Sequence, residues 1–181
     1  METFRAGEGW EKEMTVELAE YRAEKVEKAE PKIRFGRFSD MEGLLELGRQ
    51  FHEYAELGKW GMGYERVLFA DVLVGFMTNE NCCLIVADVE GKVVGTIAGM
   101  TIPWFMDIRQ INAQEMWWYV DPEFRGTVGP ELLNWFELWA KKRGAKVICL
   151  AGFYEKRLAA LERLYGRRGY KPMEVHFVKE L

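Results

Sequence analysis

The sequence predicts an α/β (α+β) fold, a mixed sheet flanked by helices and built around one core. Apolar periods of two and of 3.6 residues alternate along the chain in the order strand, two helices, three strands, helix, strand, helix, strand, a pattern that lays helices on the faces of a sheet. Glu90-Gly91 between two apolar runs marks a tight turn, so part of that sheet is a hairpin. A chain of 181 residues, 49% of them hydrophobic, can bury one substantial core and is short for two.

Residues 1–31 are rich in charge, with Met14, Leu18 and Tyr21 at helical spacing and Pro31 closing the segment, so they read as an amphipathic helical arm ahead of a domain at 32–181. Ile33 to Phe38 alternates as a half-buried strand, after which Ser39 or Asp40 can cap a helix carrying Met41, Leu44, Leu45, Leu47, Phe51 and Tyr54 on its apolar face. A glycine-containing break, Gly58 to Gly63, precedes a second helix through Val67, Leu68, Val72, Leu73 and Phe76, which Asn79 and Asn81 stop. Cys82 to Val89 and Val93 to Ile102 form the hairpin. Pro103 to Ile111 reads as a loop with an unusual load of aromatic and apolar residues, Trp104, Phe105 and Met106. Gln114 to Val120 is a strand. A helix begins near Pro130, whose ring suits a first helical position, and ends at Gly144. Val147 to Ala151 is a strand, Glu155 to Arg167 a helix and Pro172 to Lys179 a last strand.

A net charge of -4 gives no electrostatic reason to bind a phosphate backbone, so nucleic acid is not an expected partner, and a cationic substrate suits it better. The three cysteines build neither a disulfide framework nor a CxxC metal pair, and His52 and His176 are isolated; no metal is expected. Acidic residues at 2, 8, 11 and 13 interrupt any leader, and no run approaches the ~20 apolar residues that span a bilayer. The expectation is a soluble, cytoplasmic protein without a membrane partner.

The chemistry concentrates in the strand-turn-helix unit from Trp118 to Gly144. A glycine-rich turn at a helix start aims free backbone N–H groups outward and binds phosphate, with a nucleotide, a dinucleotide or coenzyme A equally open on that ground alone. Neither GxGxxG nor GxxxxGK[ST] is present. Residues 118–133, Trp-Tyr-Val-Asp-Pro-Glu-Phe-Arg-Gly-Thr-Val-Gly-Pro-Glu-Leu-Leu, followed by Ala140 to Ala145, resemble the acetyl-coenzyme A motif of the GNAT N-acetyltransferase family. Leu164-Tyr165-Gly166-Arg167-Arg168-Gly169-Tyr170 is similar to its leucine-tyrosine and glycine-aromatic signature. The likeness runs over roughly residues 33 to 181, and small bacterial or phage-encoded members resemble the chain in size.

That resemblance implies the GNAT fold, a mostly antiparallel central sheet, and an acetyl-CoA-dependent N-acetyltransferase that acts on a small-molecule or protein amine. The backbone of Tyr119 and Val120 would hold the pantetheine arm as a false strand, and Arg125, Gly126, Thr127, Val128, Gly129 and Pro130 would surround the pyrophosphate. Two registers fit the loop: ungapped, Val128 and Pro130 stand at its glycine positions; with one residue fewer, Gly129 takes the last. Many members carry an Asn seven residues before the tyrosine, where this chain has Leu158. Transfer in a ternary complex leaves two proton problems. An ammonium near pKa 10.4 costs about 4–5 kcal/mol to neutralise at pH 7, for which Glu115 is the candidate base; a thiolate near 8.5 needs an acid, and Tyr165 occupies the family's tyrosine position. Trp104 and Trp117 are candidates for an acceptor wall. A non-catalytic module binding coenzyme A or a protein is the alternative, and a homodimer stays open.

Overall fold

The structure, a computed structural model, describes residues 30–153 and 158–180. The helical arm read at 1–31 therefore lies outside the described residues except at its end, as does the start of the helix read from Glu155. From Pro31 onward the chain forms one compact unit. Its elements are β1 (Lys32–Phe35), α1 (Met41–Tyr54), α2 (Arg66–Thr78), β2 (Cys82–Val89), β3 (Lys92–Trp104), β4 (Asp107–Val120), α3 (Val128–Lys142), β5 (Val147–Cys149) and α4 (Leu158–Arg167). The five strands lie in sequence order in one mixed sheet, antiparallel except for β5, which runs parallel to β4.

Each face of the sheet carries its own core. Leu44, Leu45 and Leu47 of α1 and Leu73 of α2 pack on Leu84, Val86, Ala98 and Tyr119. On the opposite face Val128, Leu132, Leu133 and Phe136 of α3 pack on Ile85, Ala87, Val94 and Ile97, with Leu164 and Tyr165 of α4 against the margin. Burial of large apolar side chains at about 1.5–3 kcal/mol each explains why both helix pairs hold to the sheet.

Three expectations are corrected. Asp40 precedes α1 but does not cap it; its carboxylate takes the Arg34 guanidinium at 2.6 Å and the Arg37 N–H at 2.8 Å, and Arg34 also reaches Asp88 at 2.6 Å, tying β1, β2 and the entry to α1 together. That pairing holds the Asp40 carboxyl below the usual carboxylate range. Pro103 to Ile111 is no loop. β3 and β4 run on past the end of β2 and turn at Phe105-Met106, and Pro103 is accommodated because β3 there has β4 as its one neighbour. Lastly, Pro172 to Lys179 forms no strand: a strand requires a ladder partner, and every residue of the segment is exposed.

One irregularity sets up the site. In the β3–β4 register Ala98 faces Trp117 and Gly99 faces Glu115, so Met116 has no partner on β3. This bulge breaks the two-residue alternation. Without it Glu115 and Trp117 would share a face; with it Glu115 turns toward α3 and α4 while Trp117 turns toward α1 and α2.

Candidate active site

β4 and β5 pair through Asn112, Ala113 and Gln114 opposite Val147, Ile148 and Cys149, and then separate. Beyond that point Glu115 to Val120 is paired with β3 on one side. Among the described residues no strand lies on the other side of this stretch, which holds Tyr119 and Val120, the residues expected to hold a pantetheine arm.

Two predicted side chains meet where the strands part. Glu115, 7% exposed, accepts the Ala151 N–H at 3.0 Å on Oε2, and the Tyr165 hydroxyl donates to the Ala151 carbonyl oxygen at 3.2 Å. The main chain of one residue, Ala151, thus meets both, through two successive peptides. Burial pushes the Glu115 carboxyl up to about 7, against the opposing hydrogen bond from Ala151. Burial also raises the Tyr165 hydroxyl, and the Glu115 charge adds to it. Tyr165 therefore stays protonated across the working pH range, and full proton transfer from it costs more than the free-solution comparison with a thiol implies.

Trp118 joins this pair to the glycine turn. Its ring centroid lies 6.4 Å from that of Tyr165, and a Cβ on Gly129 would stand 3.3 Å from its Cζ2. The indole Nε1 is buried and has no hydrogen-bond partner among the described residues. A buried donor of this kind is normally satisfied, so it marks a place where a polar acceptor fits.

The turn itself opens α3 two residues earlier than expected. Gly126 has φ +116° with open space around it, Thr127 is the N-cap, and the helix starts at Val128 with no side chain capping its N–H groups. Pro130 is consequently at the third helical position and contributes no N–H. Val128 does not fill the turn: the residue is 2% exposed and packs in the core beneath. Free N–H groups at a helix start, open space at Gly126 and an unsatisfied indole N–H fit a pyrophosphate-bearing group with a polar arm.

Other predicted residues are placed elsewhere. The Arg125 guanidinium lies over the rings of Tyr54 (4.8 Å) and Tyr119 (5.6 Å), and its Nε donates to the Val120 carbonyl at 3.0 Å. Trp117 is packed against Phe69 and Phe76 of α2, and Trp104 stacks on Phe105 at the hairpin end, so the two do not form one wall. Leu158 packs on Gly152. A depression of about 600 Å³, which sequence reasoning missed, lies over Gln50, Glu53, Tyr54, Tyr119, Asp121 and Glu123. Its residues come from α1 and from the end of β4, 65 or more positions apart, so no local pattern announces it. Among the described residues no group of three His, Cys, Asp or Glu is placed to hold a metal ion, and no helix is long and apolar enough to cross a membrane.

The family model described as the acetyltransferase (GNAT) family matches residues 44–170. The chain belongs to the GNAT acetyltransferases. The GNAT relatives agree with the architecture. A probable N-acetyltransferase camello of Xenopus tropicalis is 28% identical over 129 residues, 71% of this chain and 56% of its own length, so the chain spans little more than half of that relative. An aminoglycoside acetyltransferase from an uncultured soil metagenomic sample, solved with trehalose, superposes with a TM-score of 0.64 at 18% identity over 83% of this chain and 96% of that one. A predicted acetyltransferase of Clostridium acetobutylicum, solved with acetyl-CoA, gives 0.62 at 16% identity over 81% and 94%. At these identities the two structures attest the fold.

Proposed function

We propose that this chain is an acetyl-CoA-dependent N-acetyltransferase that acts on a primary amine by direct attack in a ternary complex. The observation that carries the reading is the meeting of Glu115 and Tyr165 on the main chain of Ala151, at the point where β4 and β5 part. Acetyl-CoA would supply an activated thioester carbonyl. The N–H groups of Val128 and Gly129 would hold its pyrophosphate, the open edge at Tyr119 and Val120 its amide arm, and the Trp118 indole would donate to a polar atom between them. Arg125 would shape this end of the site by lying over the Tyr54 and Tyr119 rings and donating to the Val120 carbonyl.

Glu115, poised near 7, takes the proton of the incoming ammonium, and Tyr165 donates toward the sulfur as negative charge gathers there. The rest is positioning, which removes most of the entropy cost of bringing two molecules together. The soil-sample structure is of an aminoglycoside acetyltransferase, and a depression bordered by Glu53, Asp121 and Glu123 likewise favours a cationic amine acceptor.

Thiol release from acetyl-CoA across a panel of polyamines, amino sugars and basic peptides tests the reading. Tyr165→Phe, which keeps the ring packing on Trp118 and Tyr170, is expected to lower kcat by about 10²–10⁴-fold with little change in cofactor affinity. Unchanged turnover would remove Tyr165 from the chemistry. Cofactor binding by calorimetry with no turnover on any amine would instead mark a non-catalytic coenzyme A-binding module.

A further inference from the structure

α4 carries Tyr165, yet none of its residues is fully buried; Leu164 and Tyr165 meet the core at its margin. α3, which opens at the glycine turn, is held quite differently. Its Leu132, Leu133, Phe136 and Ala140 are completely buried. Burial on that scale fixes α3 by itself, whereas α4 needs directional contacts if the Tyr165 hydroxyl is to act over a hydrogen-bond distance.

Such contacts gather just past the end of α4. Arg168 grips α3 at two points: Nη1 donates to Glu137 Oε2 at 3.1 Å, and Nη2 to the Pro130 carbonyl oxygen at 3.2 Å. Pro130 stands in the first turn of α3 and Glu137 roughly two turns further on, so the guanidinium fork spans one face of that helix. Gly169, at φ +85°, reverses the chain after α4, and the Tyr170 N–H returns to the Tyr165 carbonyl oxygen at 3.0 Å. This reversal lays the Tyr170 ring 5.6 Å from that of Tyr165 and brings its hydroxyl to Glu137 Oε1 at 2.9 Å. Glu137 therefore accepts on both oxygens, and both donors belong to the segment that ends α4. The Arg168 and Glu137 side chains are 21% and 30% exposed, so the pair is partly solvated and adds little to stability. Its direction matters more, because a misplacement of about 1 Å can cost a rate about 10²-fold.

We propose that Glu137, Arg168 and Tyr170 are positioning residues for acetyl transfer, a clamp that holds α4 on α3 and so fixes the Tyr165 hydroxyl relative to the glycine turn. The assignment rests on the reading of Tyr165 as the acid. Of the two helices it is α4 that shifts when the clamp is cut, since α3 keeps its core contacts.

Glu137→Ala, which removes both acceptors, is expected to lower kcat by up to about 10²-fold and to leave acetyl-CoA affinity by calorimetry at the parent value. Tyr170→Phe keeps the ring on Tyr165, loses one donor and should fall between the two. Amide hydrogen exchange over 158–167 is expected to speed up in Glu137→Ala while exchange over 128–142 does not. Tyr165→Phe, introduced into both backgrounds, completes a double-mutant cycle. Its cost should be smaller in Glu137→Ala, by the factor that Glu137→Ala has already removed. Unchanged exchange in α4, or a large Tyr165→Phe loss of equal factor in both backgrounds, overturns the proposal. A Tyr165→Phe protein as active as the parent strikes the acid reading itself, an outcome that exchange tells apart from failure of the clamp.

Discussion

Replacing Glu115 with Gln is expected to lower kcat/KM by about 10²–10⁴-fold and to abolish the rise of activity with pH expected of the parent protein through about 7. A base must be ionised to accept a proton, so activity in the parent climbs as Glu115 loses its own. Gln is nearly isosteric and its carbonyl oxygen can still accept the Ala151 N–H, so the segment at 151 keeps its position. The same variant has a signature in stability. Burial raises the folded-state pKa from 4.5 to about 7, so between those values the folded protein holds more protons than the unfolded chain and stability falls as pH rises. Integrated from pH 5 to pH 8, the parent should lose roughly 2–3 kcal/mol that the Gln variant retains. A constant cost for burying an amide would shift the whole curve without altering this difference. Chemical denaturation of both proteins at pH 5, 6, 7 and 8 measures it, and parallel curves would show that Glu115 is not buried as an ionisable group.

A side chain that lowers stability and serves as the proposed base fits the way the site is built. Among the described residues the Glu115 carboxylate has one hydrogen-bond donor, Ala151, and no cation beside it, an expensive environment for a carboxylate. Its neighbour Tyr165 is raised for the same reason, so the pair holds one group ready to accept a proton and another that keeps its own.

α1 and α3 were legible in the sequence because each has one dry face, with Leu44, Leu45 and Leu47, or Leu132 and Phe136, at helical spacing, and the central strands because they are dry on both, buried without a break over 83–87 and 93–99. The glycine turn was legible in kind, since glycine and proline mark a helix start whatever they surround. What escaped were features decided at long range. The bulge at Met116 adds a residue without changing composition, so the split of Glu115 and Trp117 onto opposite faces has no local signal. The hairpin through Phe105-Met106 looked like a loop because Pro103 is a poor strand residue, and only the early end of β2 makes it tolerable. Val128 looked like an intruder in a phosphate loop because a sequence does not reveal that its side chain turns inward. Residues 172–179 show the reverse: an alternation that reads as a strand has no ladder partner among the described residues, and no strand forms.

Gly99→Ala should be the most damaging of the small substitutions, because Gly99 faces Glu115 across the bulge and lies against the α3 core. A Cβ there would stand 2.4 Å from Cε2 of Phe136 and 2.6 Å from the carbonyl oxygen of Gln114. Phe136 is fully buried and cannot swing aside without opening the core around Leu132 and Leu133. The carbonyl belongs to the last β4 residue paired with β5, so moving it shifts the point at which the strands part. Overpacking of this kind costs about 1–3 kcal/mol, and at about 2–4 °C per kcal/mol for a chain of this size the melting temperature should fall by roughly 2–12 °C. Adding Phe136→Leu is expected to recover part of the loss and no more, since it relieves the aromatic contact and leaves the carbonyl contact in place. Activity should not return with that partial stability, because Glu115 is carried by the residue next to the displaced carbonyl. Scanning calorimetry and turnover of the single and double variants separate the two contacts: full recovery of both in the double variant would place the whole constraint in the core and none in the backbone of the bulge.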